Sequence, residues 1–219
     1  MKKGLMVLIL AAAIGIAAYQ ITRTHQQSER KEVLLDATDS ALMSRLAAGD
    51  DLALNILMTR WSGRVVGFIY RMTGRHETAV DLAQETFVKL YQARTRYRPQ
   101  DSFSTYLFAI AVNLARNRLR WWRRRPTVEL QEWSAAEGAG TEETREAGAS
   151  ALERAERAAA VQAAIAALPR ELREAIVLFE YERLSQAEIA AIVGVTSKAV
   201  ETRIYRAREK LRAALQAWA

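Results

Sequence analysis

Apolar residues recur at three- and four-residue steps through most of the chain, and this spacing predicts helices almost throughout. No stretch alternates in the two-residue period of a strand. The first half divides into four predicted helices: one that Asp39 caps and that ends at Gly49-Asp50, one carrying Leu57 to Met72, one from about Glu77 to Arg94, and one that Ser102 caps. Four more helices are predicted after residue 150, with Pro169 in the first turn of the second. The pattern indicates an all-α fold.

The helical pattern stops in one place, the segment PTVELQEWSAAEGAGTEETREAGAS at 126–150. This segment has no apolar period, holds three glycines, and carries one basic against six acidic residues. Low hydrophobicity with net negative charge is typical of a flexible linker. We therefore expect two small helical domains, 31–125 and 151–219, joined by this acidic linker, with residues 1–30 as a separate apolar segment.

Charge and composition narrow the function. The 219 residues carry a net charge of +7, and residues 31–125 hold sixteen basic against nine acidic residues. A basic block favours a polyanionic partner such as nucleic acid. The chain has no cysteine, which excludes disulfides, thiolate metal sites and cysteine nucleophiles. His25 and His76 are the only histidines. Because they have no metal-ligand spacing, no serine partner and no phosphate-binding glycine loop nearby, we expect no enzyme, no metal and no cofactor.

The most specific motif is SQAEIAAIVGVTSKAVETRIYRAR at 185–208. Ser185 caps a short predicted helix, Gly194 allows a left-handed turn, and Thr196 caps a longer second helix. Its predicted core consists of Ile189, Ala190, Val200 and Ile204. This is the helix-turn-helix pattern, whose second helix enters the DNA major groove. The outward positions of that helix offer hydrogen bonds and charge to DNA: Ser197, Lys198, Glu201, Thr202, Tyr205 and Arg206.

A second motif is the helix FSTYLFAIAVNLARNRLRWWRRRP at 103–126. An apolar stripe of Phe103, Leu107, Ile110 and Leu114 predicts the buried side. Another face carries polar and basic residues and continues into two tryptophans and three arginines: Tyr106, Asn113, Arg116, Asn117, Arg120, Trp121, Trp122 and Arg123 to Arg125. Aromatic side chains mixed with arginines can stack on unpaired bases and hold a phosphate backbone. We favour nucleic acid here over a solvated helix end or a lipid-facing patch.

A third motif is AVDLAQETFVKLY at 79–91. Asp81, Gln84, Glu85 and Val88 share a face opposite the apolar stripe from Val80 to Phe87. DNA phosphates repel acidic side chains, so this face is either a solvated surface or the contact surface for a protein partner.

In this order and spacing, the three motifs resemble the extracytoplasmic-function (ECF) sigma factors of bacterial RNA polymerase, a group within the sigma-70 superfamily. DLAQETFVKLY resembles the helix that binds the polymerase clamp, and FSTYLFAIAVNLARNRLRWWRR resembles the promoter-melting helix. LPRELREAIVLFEYERLSQAEIAAIVGVTSKAVETRIYRAREKLRAAL resembles the domain that binds the upstream promoter element. The resemblance covers about residues 36–217, and it implies a sigma region 2 domain at 31–125 and a region 4 domain at 151–219.

The resemblance implies a role for each motif. Asp81, Gln84 and Glu85 would contact the core polymerase. The residues that would read and hold the melted downstream element are Arg98 to Ser102, Asn113, Arg116, Asn117 and Arg120. Those that would read the upstream duplex are Lys198, Glu201, Thr202, Tyr205 and Arg206. The chain departs from the family at Val112, where arginine is frequent, and at Asn117, where aspartate is frequent, so the promoter sequence does not follow from the resemblance. The resemblance also implies promoter DNA and an anti-sigma protein as partners.

The start of the chain, MKKGLMVLILAAAIGIAAYQITR, raises a separate question. Residues 4–21 carry no charge and would span about 27 Å as a helix, marginally enough to cross a bilayer. A cleaved export signal is the weakest of three explanations, because export would separate a sigma factor from its polymerase. A membrane anchor, and an idle extension or a start codon assigned too far upstream, stay open, with the second favoured. We expect a cytoplasmic protein, membrane-tethered if the anchor is real.

The alternative from another class is a membrane-tethered helix-turn-helix regulator that binds duplex DNA without the polymerase. Such a regulator would carry a sensor or receiver domain in place of residues 36–125. The two motifs of that segment therefore favour the sigma factor.

Overall fold

The structure is a computed structural model, and it describes residues 34–98, 102–124 and 148–216. The chain divides into two compact units between Met58 and Thr59. Each unit is described by itself.

The described residues include eight α-helices and one short 3₁₀ helix. The helices are α1 Asp39–Ala47, α2 Asp51–Thr73, α3 His76–Gln92, α4 Phe103–Arg124, α5 Gly148–Ala167, α6 Arg170–Glu180, α7 Gln186–Val193 and α8 Ser197–Ala214, and the 3₁₀ helix is Arg94–Arg96. The all-α prediction is confirmed, with four α-helices on each side of the predicted linker.

In the first unit, α1 has its apolar side buried through Leu42, Met43 and Leu46. The prediction that Asp39 caps this helix is wrong. Thr38 is the cap: its backbone is extended, and its hydroxyl accepts a hydrogen bond from the amide of Ala41 at 3.3 Å. Asp39 is instead the first helical residue, where a carboxylate lies favourably near the positive end of the helix dipole.

In the second unit, aromatic rings join α2 to α4. The Trp61 ring packs edge-on against Phe103 at 5.4 Å, and Phe68 packs edge-on against Phe108 at 5.5 Å between ring centres. The predicted buried stripe of α4 is confirmed at Phe103, Leu107 and Leu114, whereas Ile110 is only half-buried.

Helix α3 packs on α4 through its own apolar side. The predicted stripe from Val80 to Phe87 needs a correction at its start, because Val80 is only half-buried. Ala79 and Leu82 are the buried residues there, so the inward side is centred one position away from Val80.

The C-terminal helices α5 to α8 contain the predicted helix-turn-helix. Ser185 caps α7 in a reciprocal capping box with Glu188, and Thr196 caps α8. Gly194 is left-handed, with φ 77°, as the turn between α7 and α8 requires. The predicted core residues Ile189, Ala190, Val200 and Ile204 are all buried.

Pro169 differs from the prediction by one position. It is the cap residue before α6, with extended ψ of 140°, and the helix begins at Arg170. Its carbonyl accepts hydrogen bonds from the amides of Leu172 and Arg173, so it still opens the helix.

Two predictions fall on residues outside the described ranges: the possible membrane helix at 4–21, and most of the acidic linker at 126–150. Within the described ranges, no helix combines the length and the apolar character needed to cross a membrane.

Candidate nucleic-acid interface

The predicted recognition surface of α8 is exposed along its whole length. Lys198, Glu201, Thr202, Tyr205 and Arg206 all face solvent, and the Tyr205 ring is 65% exposed. The Lys198 ammonium lies 2.9 Å from the Glu201 carboxylate. An exposed phenol beside basic, hydroxyl and carboxylate groups is suited to the base edges and phosphates of a DNA groove.

Helix α8 is held from behind by α6. Arg208 of α8 reaches the Glu180 carboxylate at 2.6 Å and lies over the Phe179 ring at 5.3 Å. A second pair, Arg203 with Glu171, lies 3.6 Å apart. These largely exposed pairs add modestly to the packing of Val200, Ile204 and Ala207, the buried residues of α8.

The predicted melting surface of α4 is only partly open. Arg98, Ser102, Asn113, Asn117 and Arg120 are exposed. Arg116 is the exception, because its side chain is only 21% exposed. Pro99 to Asp101, within the predicted loop, lie outside the described residues. Val112, where the family frequently has arginine, is 1% exposed. Its side chain therefore faces the core, and this position offers no phosphate contact.

Arg116 is turned toward a buried carboxylate. Its Nε donates to Oε1 of Glu174 at 2.8 Å, and its second nitrogen donates to Oε2 at 2.6 Å. The Glu174 side chain has no solvent exposure, and Arg170 approaches the same carboxylate at 3.6 Å. The hydrogen bonds to Glu174 raise the pKa of Arg116, against the opposing effect of burial. This is a two-bond charged pair between α4 and α6.

Ser102 and Thr105, at the start of α4, bind Glu188 of α7. Both hydroxyls donate to Glu188 Oε1, at 3.0 and 3.3 Å, while Oε2 accepts the Ser185 amide and hydroxyl. Burial raises the pKa of Glu188, but the hydrogen bonds from Ser185, Ser102 and Thr105 outweigh it and leave the pKa below its ordinary value. One carboxylate thus caps α7 and ties it to α4.

A third contact joins α2 to the turn after α6. Arg64 donates from Nε to the Glu182 carboxylate at 3.0 Å and from a second nitrogen to the Glu182 carbonyl at 2.9 Å. The Arg71 guanidinium lies 3.8 Å from the centre of the Tyr181 ring. The Glu182 side chain is 3% exposed, and this burial raises its pKa, partly offset by Arg64.

Arg173 binds the C-terminal ends of two helices, α2 and α5. Its guanidinium donates to the Met72 carbonyl at 2.8 Å, to the Leu168 carbonyl at 3.0 Å, and to the Ala166 carbonyl. Burial lowers the pKa of Arg173. Since these carbonyls close the last turns of α2 and α5, Arg173 replaces the hydrogen bonds that helix ends leave unmade.

The predicted protein-binding face of α3 is exposed as expected. Asp81, Gln84 and Glu85 face solvent, and Val88 beside them is 53% exposed. Lys89 lies 3.6 Å from Glu85. An open groove of about 550 Å³ runs from this face to α4, lined by Leu82, Glu85, Lys89, Leu114, Asn117, Arg118 and Trp121. An apolar floor rimmed by charges is suited to a protein partner.

Sequence reasoning missed the acidic partners Glu174, Glu182 and Glu188. One of them had a visible signal: Glu174 stands three and four positions before Val177 and Leu178, on the buried side of α6. A carboxylate on a buried helix side requires a cationic partner. Nothing local identifies Arg116, 58 positions earlier, as that partner. In the described part of the chain, no cluster of three or more metal-ligating side chains is present.

Two family models match the chain. Sigma-70 region 2 matches residues 57–125, and sigma-70 region 4 matches residues 158–211. The RNA polymerase sigma-H factor of Pseudomonas aeruginosa is 35% identical over 187 residues, covering 84% of this chain and 97% of its own. The ECF RNA polymerase sigma-E factor of Escherichia coli is 35% identical over 177 residues, covering 80% of this chain and 92% of its own.

Solved structures also match. CnrH, determined in complex with the cytosolic domain of CnrY, has a TM-score of 0.61 at 29% identity and covers 83% of this chain and 99% of its own. The sigma factor RpoE of Bartonella quintana, determined with the anti-sigma factor NepR, has a TM-score of 0.56 at 21% identity, covering 73% of this chain and 94% of its own. The second match concerns the fold alone.

Proposed function

The chain belongs to the ECF sigma factors of the sigma-70 superfamily, and from that premise we propose which of its described surfaces carries out each step of transcription initiation. Sigma factors bind core RNA polymerase and direct it to promoters. They are initiation factors without catalysis of their own, since the polymerase supplies the chemistry.

Helix α8 reads the upstream promoter element as duplex. The support is geometric: Lys198, Glu201, Thr202, Tyr205 and Arg206 form one exposed row on the second helix of a helix-turn-helix. In this motif that row enters the major groove. The residues that contact base edges would determine which promoter sequence is recognised, and the basic side chains would hold the DNA phosphates.

Helix α4 captures the melted downstream element. Asn113, Asn117 and Arg120 are exposed on one helix face, and Arg98 and Ser102 precede it. Amide and guanidinium groups can hydrogen-bond an unpaired base and its phosphate. Unstacking a base takes a few kcal/mol, which these contacts and the polymerase must offset together.

Helix α3 binds the polymerase through Asp81, Gln84 and Glu85, with Val88 and the adjacent groove as the apolar part of the contact. The acidic sign of this face, in a basic chain, favours a protein partner over DNA. Binding to polymerase places the protein in the cytoplasm, where transcription takes place.

An anti-sigma protein is the proposed regulator. The support is that two structurally similar proteins were determined with a protein partner: the sigma factor RpoE with the anti-sigma factor NepR, and CnrH with the cytosolic domain of CnrY. The finer proposal of a membrane tether through residues 4–21 rests on the apolar sequence alone. The regulator without polymerase is disfavoured, because residues 57–125 match sigma region 2.

One observation gives the main support for the proposed function. Sigma region 2 and region 4 occur in one chain, and the α3 and α8 surfaces are both exposed. The test is transcription by purified core polymerase from a promoter selected out of random duplexes. Full-length protein and residues 31–219 should both support it. Failure of both to bind core polymerase in a pull-down would overturn the proposal.

A further inference from the structure

The turn between α6 and α7 contains a backbone conformation that is unusual for its residue type. Arg183 has a φ of 58°, in the left-handed region that is unfavourable for a residue with a Cβ atom. In the described part of the chain, the other residues with positive φ are all glycines that follow the end of a helix: Gly49, Gly74 and Gly194. At the end of α6, an arginine takes the place that glycine has elsewhere.

Folding alone does not explain an arginine at this turn. The left-handed residue lets the chain leave α6 and begin α7, and glycine takes this conformation without steric cost. The chain itself uses Gly194 for the next turn. Left-handed backbone at residues other than glycine is concentrated at functional sites, where a particular side chain is needed. The side chain of Arg183 is therefore the feature that requires an explanation.

The Arg183 side chain is exposed and unpaired. Its neighbours Glu182 and Leu184 are buried, whereas Arg183 itself faces solvent. Among the residues that the structure describes, none forms a hydrogen bond, an ion pair or a ring contact with the Arg183 side chain. The adjacent carboxylate of Glu182 already binds Arg64 at 3.0 Å. Arg183 thus presents its positive charge to solvent, where a partner can reach it.

The position of Arg183 indicates the kind of partner. It lies three positions before α7, the first helix of the helix-turn-helix. In this motif the second helix places its N-terminal residues against base edges, and the first helix crosses the DNA backbone. Helix α7 has eight residues and is about 12 Å long, which matches the major-groove width of about 12 Å. When the turn at Gly194 lies at the groove, the start of α7 therefore lies near the phosphates that border it.

We propose that Arg183 holds a phosphate of the upstream duplex, beside the groove that α8 enters. A guanidinium binds a phosphate through two parallel charged hydrogen bonds. Such a contact adds affinity and fixes the position of the recognition helix on the duplex, but it does not read the base sequence. The proposal rests on the proposed function, because it extends the duplex-binding surface that is assigned there to α8.

The experiment compares four variants of the full chain, each bound to core polymerase. Arg183→Gln removes the charge and keeps a Cβ atom at the left-handed position, whereas Arg183→Lys keeps the charge. Arg183→Gly removes the charge and also relieves the backbone. The matched control is Arg157→Gln, which removes an exposed charge whose partner, Glu153, lies on the same helix α5.

Each protein is titrated at several salt concentrations with a fluorescent duplex that carries only the upstream element of a selected promoter. At about 0.15 M salt, Arg183→Gln and Arg183→Gly should bind about fivefold more weakly, and the slope of log affinity against log salt should fall by about one unit, as expected for one lost phosphate contact. Arg183→Lys should stay within about twofold of the wild type, because lysine also binds phosphate. Arg157→Gln should bind as the wild type does. A duplex of shuffled sequence should lose affinity by the same factor, because a phosphate contact does not depend on the bases.

A stability measurement separates this role from a purely structural one. Arg183→Gly should unfold at no lower a urea concentration than the wild type, because glycine adopts the left-handed turn without strain. The same variant should bind the duplex more weakly, so affinity falls while stability is kept. A glycine variant that loses both stability and affinity would assign Arg183 to the fold and overturn the proposal.

Arg206→Ala in α8 distinguishes this proposal from the proposed function. If Arg206→Ala weakens duplex binding and Arg183→Gln leaves affinity and salt slope unchanged, the Arg183 contact is wrong and the function stands. If neither variant changes them, the assignment of the helix-turn-helix to the duplex is itself wrong. A pull-down with core polymerase covers a protein partner. Weaker binding of Arg183→Gln to the polymerase, with unchanged affinity for the duplex, would also overturn the proposal.

Discussion

Arg116 and Glu174 lie 58 positions apart in the chain and meet in a two-bond ion pair with the carboxylate fully buried. Arg116 stands on the polar face of a helix whose sequence resembles a promoter-melting helix. Its guanidinium binds an internal carboxylate. The same charge that suits Arg116 to DNA thus also gives it a partner within the protein.

The α3 face supplies the sharpest prediction about polymerase binding. Asp81→Arg with Glu85→Arg should weaken binding to core polymerase about tenfold or more, because reversing charges at an interface replaces attraction by repulsion. Glu77→Arg, an exposed position in the first turn of the same helix, is the matched control and should bind nearly as the wild type. Affinities are measured by titration against labelled core polymerase, with circular dichroism to confirm folding. Equal binding by both variants would remove this face from the interface.

The α8 row predicts a graded effect on duplex binding. Arg206→Ala should weaken binding to a selected promoter duplex about tenfold and reduce the slope of log affinity against log salt by about one unit, as expected for one lost phosphate contact. Lys198→Ala should act more weakly, since Glu201 already neutralises this ammonium at 2.9 Å. Arg212→Ala, in the last turn of α8, is the control. Titrations of the duplex at several salt concentrations measure both the affinity and the slope. Unchanged affinity for Arg206→Ala and Lys198→Ala would mean that the recognition surface lies elsewhere.

Glu188 predicts a pH dependence of stability. Burial raises the pKa of Glu188, but its hydrogen bonds together outweigh burial and hold the pKa in the folded protein below its ordinary value, so the ionised form stabilises the fold. That contribution is present above pH 4.5 and is lost as the pH falls through the lower, folded pKa. Glu188→Gln keeps a side chain that can complete the capping box but removes the charge. Urea unfolding at neutral pH should show the variant less stable, and the difference from wild type should shrink as the pH falls below 4.5. A difference independent of pH would contradict the assigned cause.

Replacing the partly buried Arg173 should cause a large loss of stability. Arg173→Ala should lower the free energy of unfolding by about 2–4 kcal/mol, because it leaves the Met72, Leu168 and Ala166 carbonyls without their donor. Arg157→Ala is the contrast, since Arg157 and Glu153 form an exposed pair worth at most about 0.5 kcal/mol. Denaturant titration measures both. A loss below about 1 kcal/mol for Arg173→Ala would mean that water satisfies these carbonyls.

Local interactions account for what could be predicted from the sequence alone. Ser185, Gly194 and Thr196 determine the helix-turn-helix through contacts within a few residues, and all three take the predicted roles. The exposed row on α8 and the acidic face of α3 follow from helical periodicity, since one turn brings together residues three and four apart. The errors are also local. At Asp39 the hydroxyl of the preceding Thr38 makes the cap, and at Pro169 the extended ψ keeps the proline just outside the helix.

Tertiary structure alone decided which of the predicted DNA-binding side chains are free. Asn113 and Arg116 both lie on polar positions of α4, yet one is exposed and the other is held by Glu174. The pairings of Arg116 with Glu174 and of Arg64 with Glu182 span 58 and 118 positions. A carboxylate on the buried side of a helix indicates that a cation is needed, but periodicity carries no information about which distant arginine supplies it. That choice depends on how α2 and α4 pack against α6 and α7, because only packing brings such distant charges within hydrogen-bonding distance.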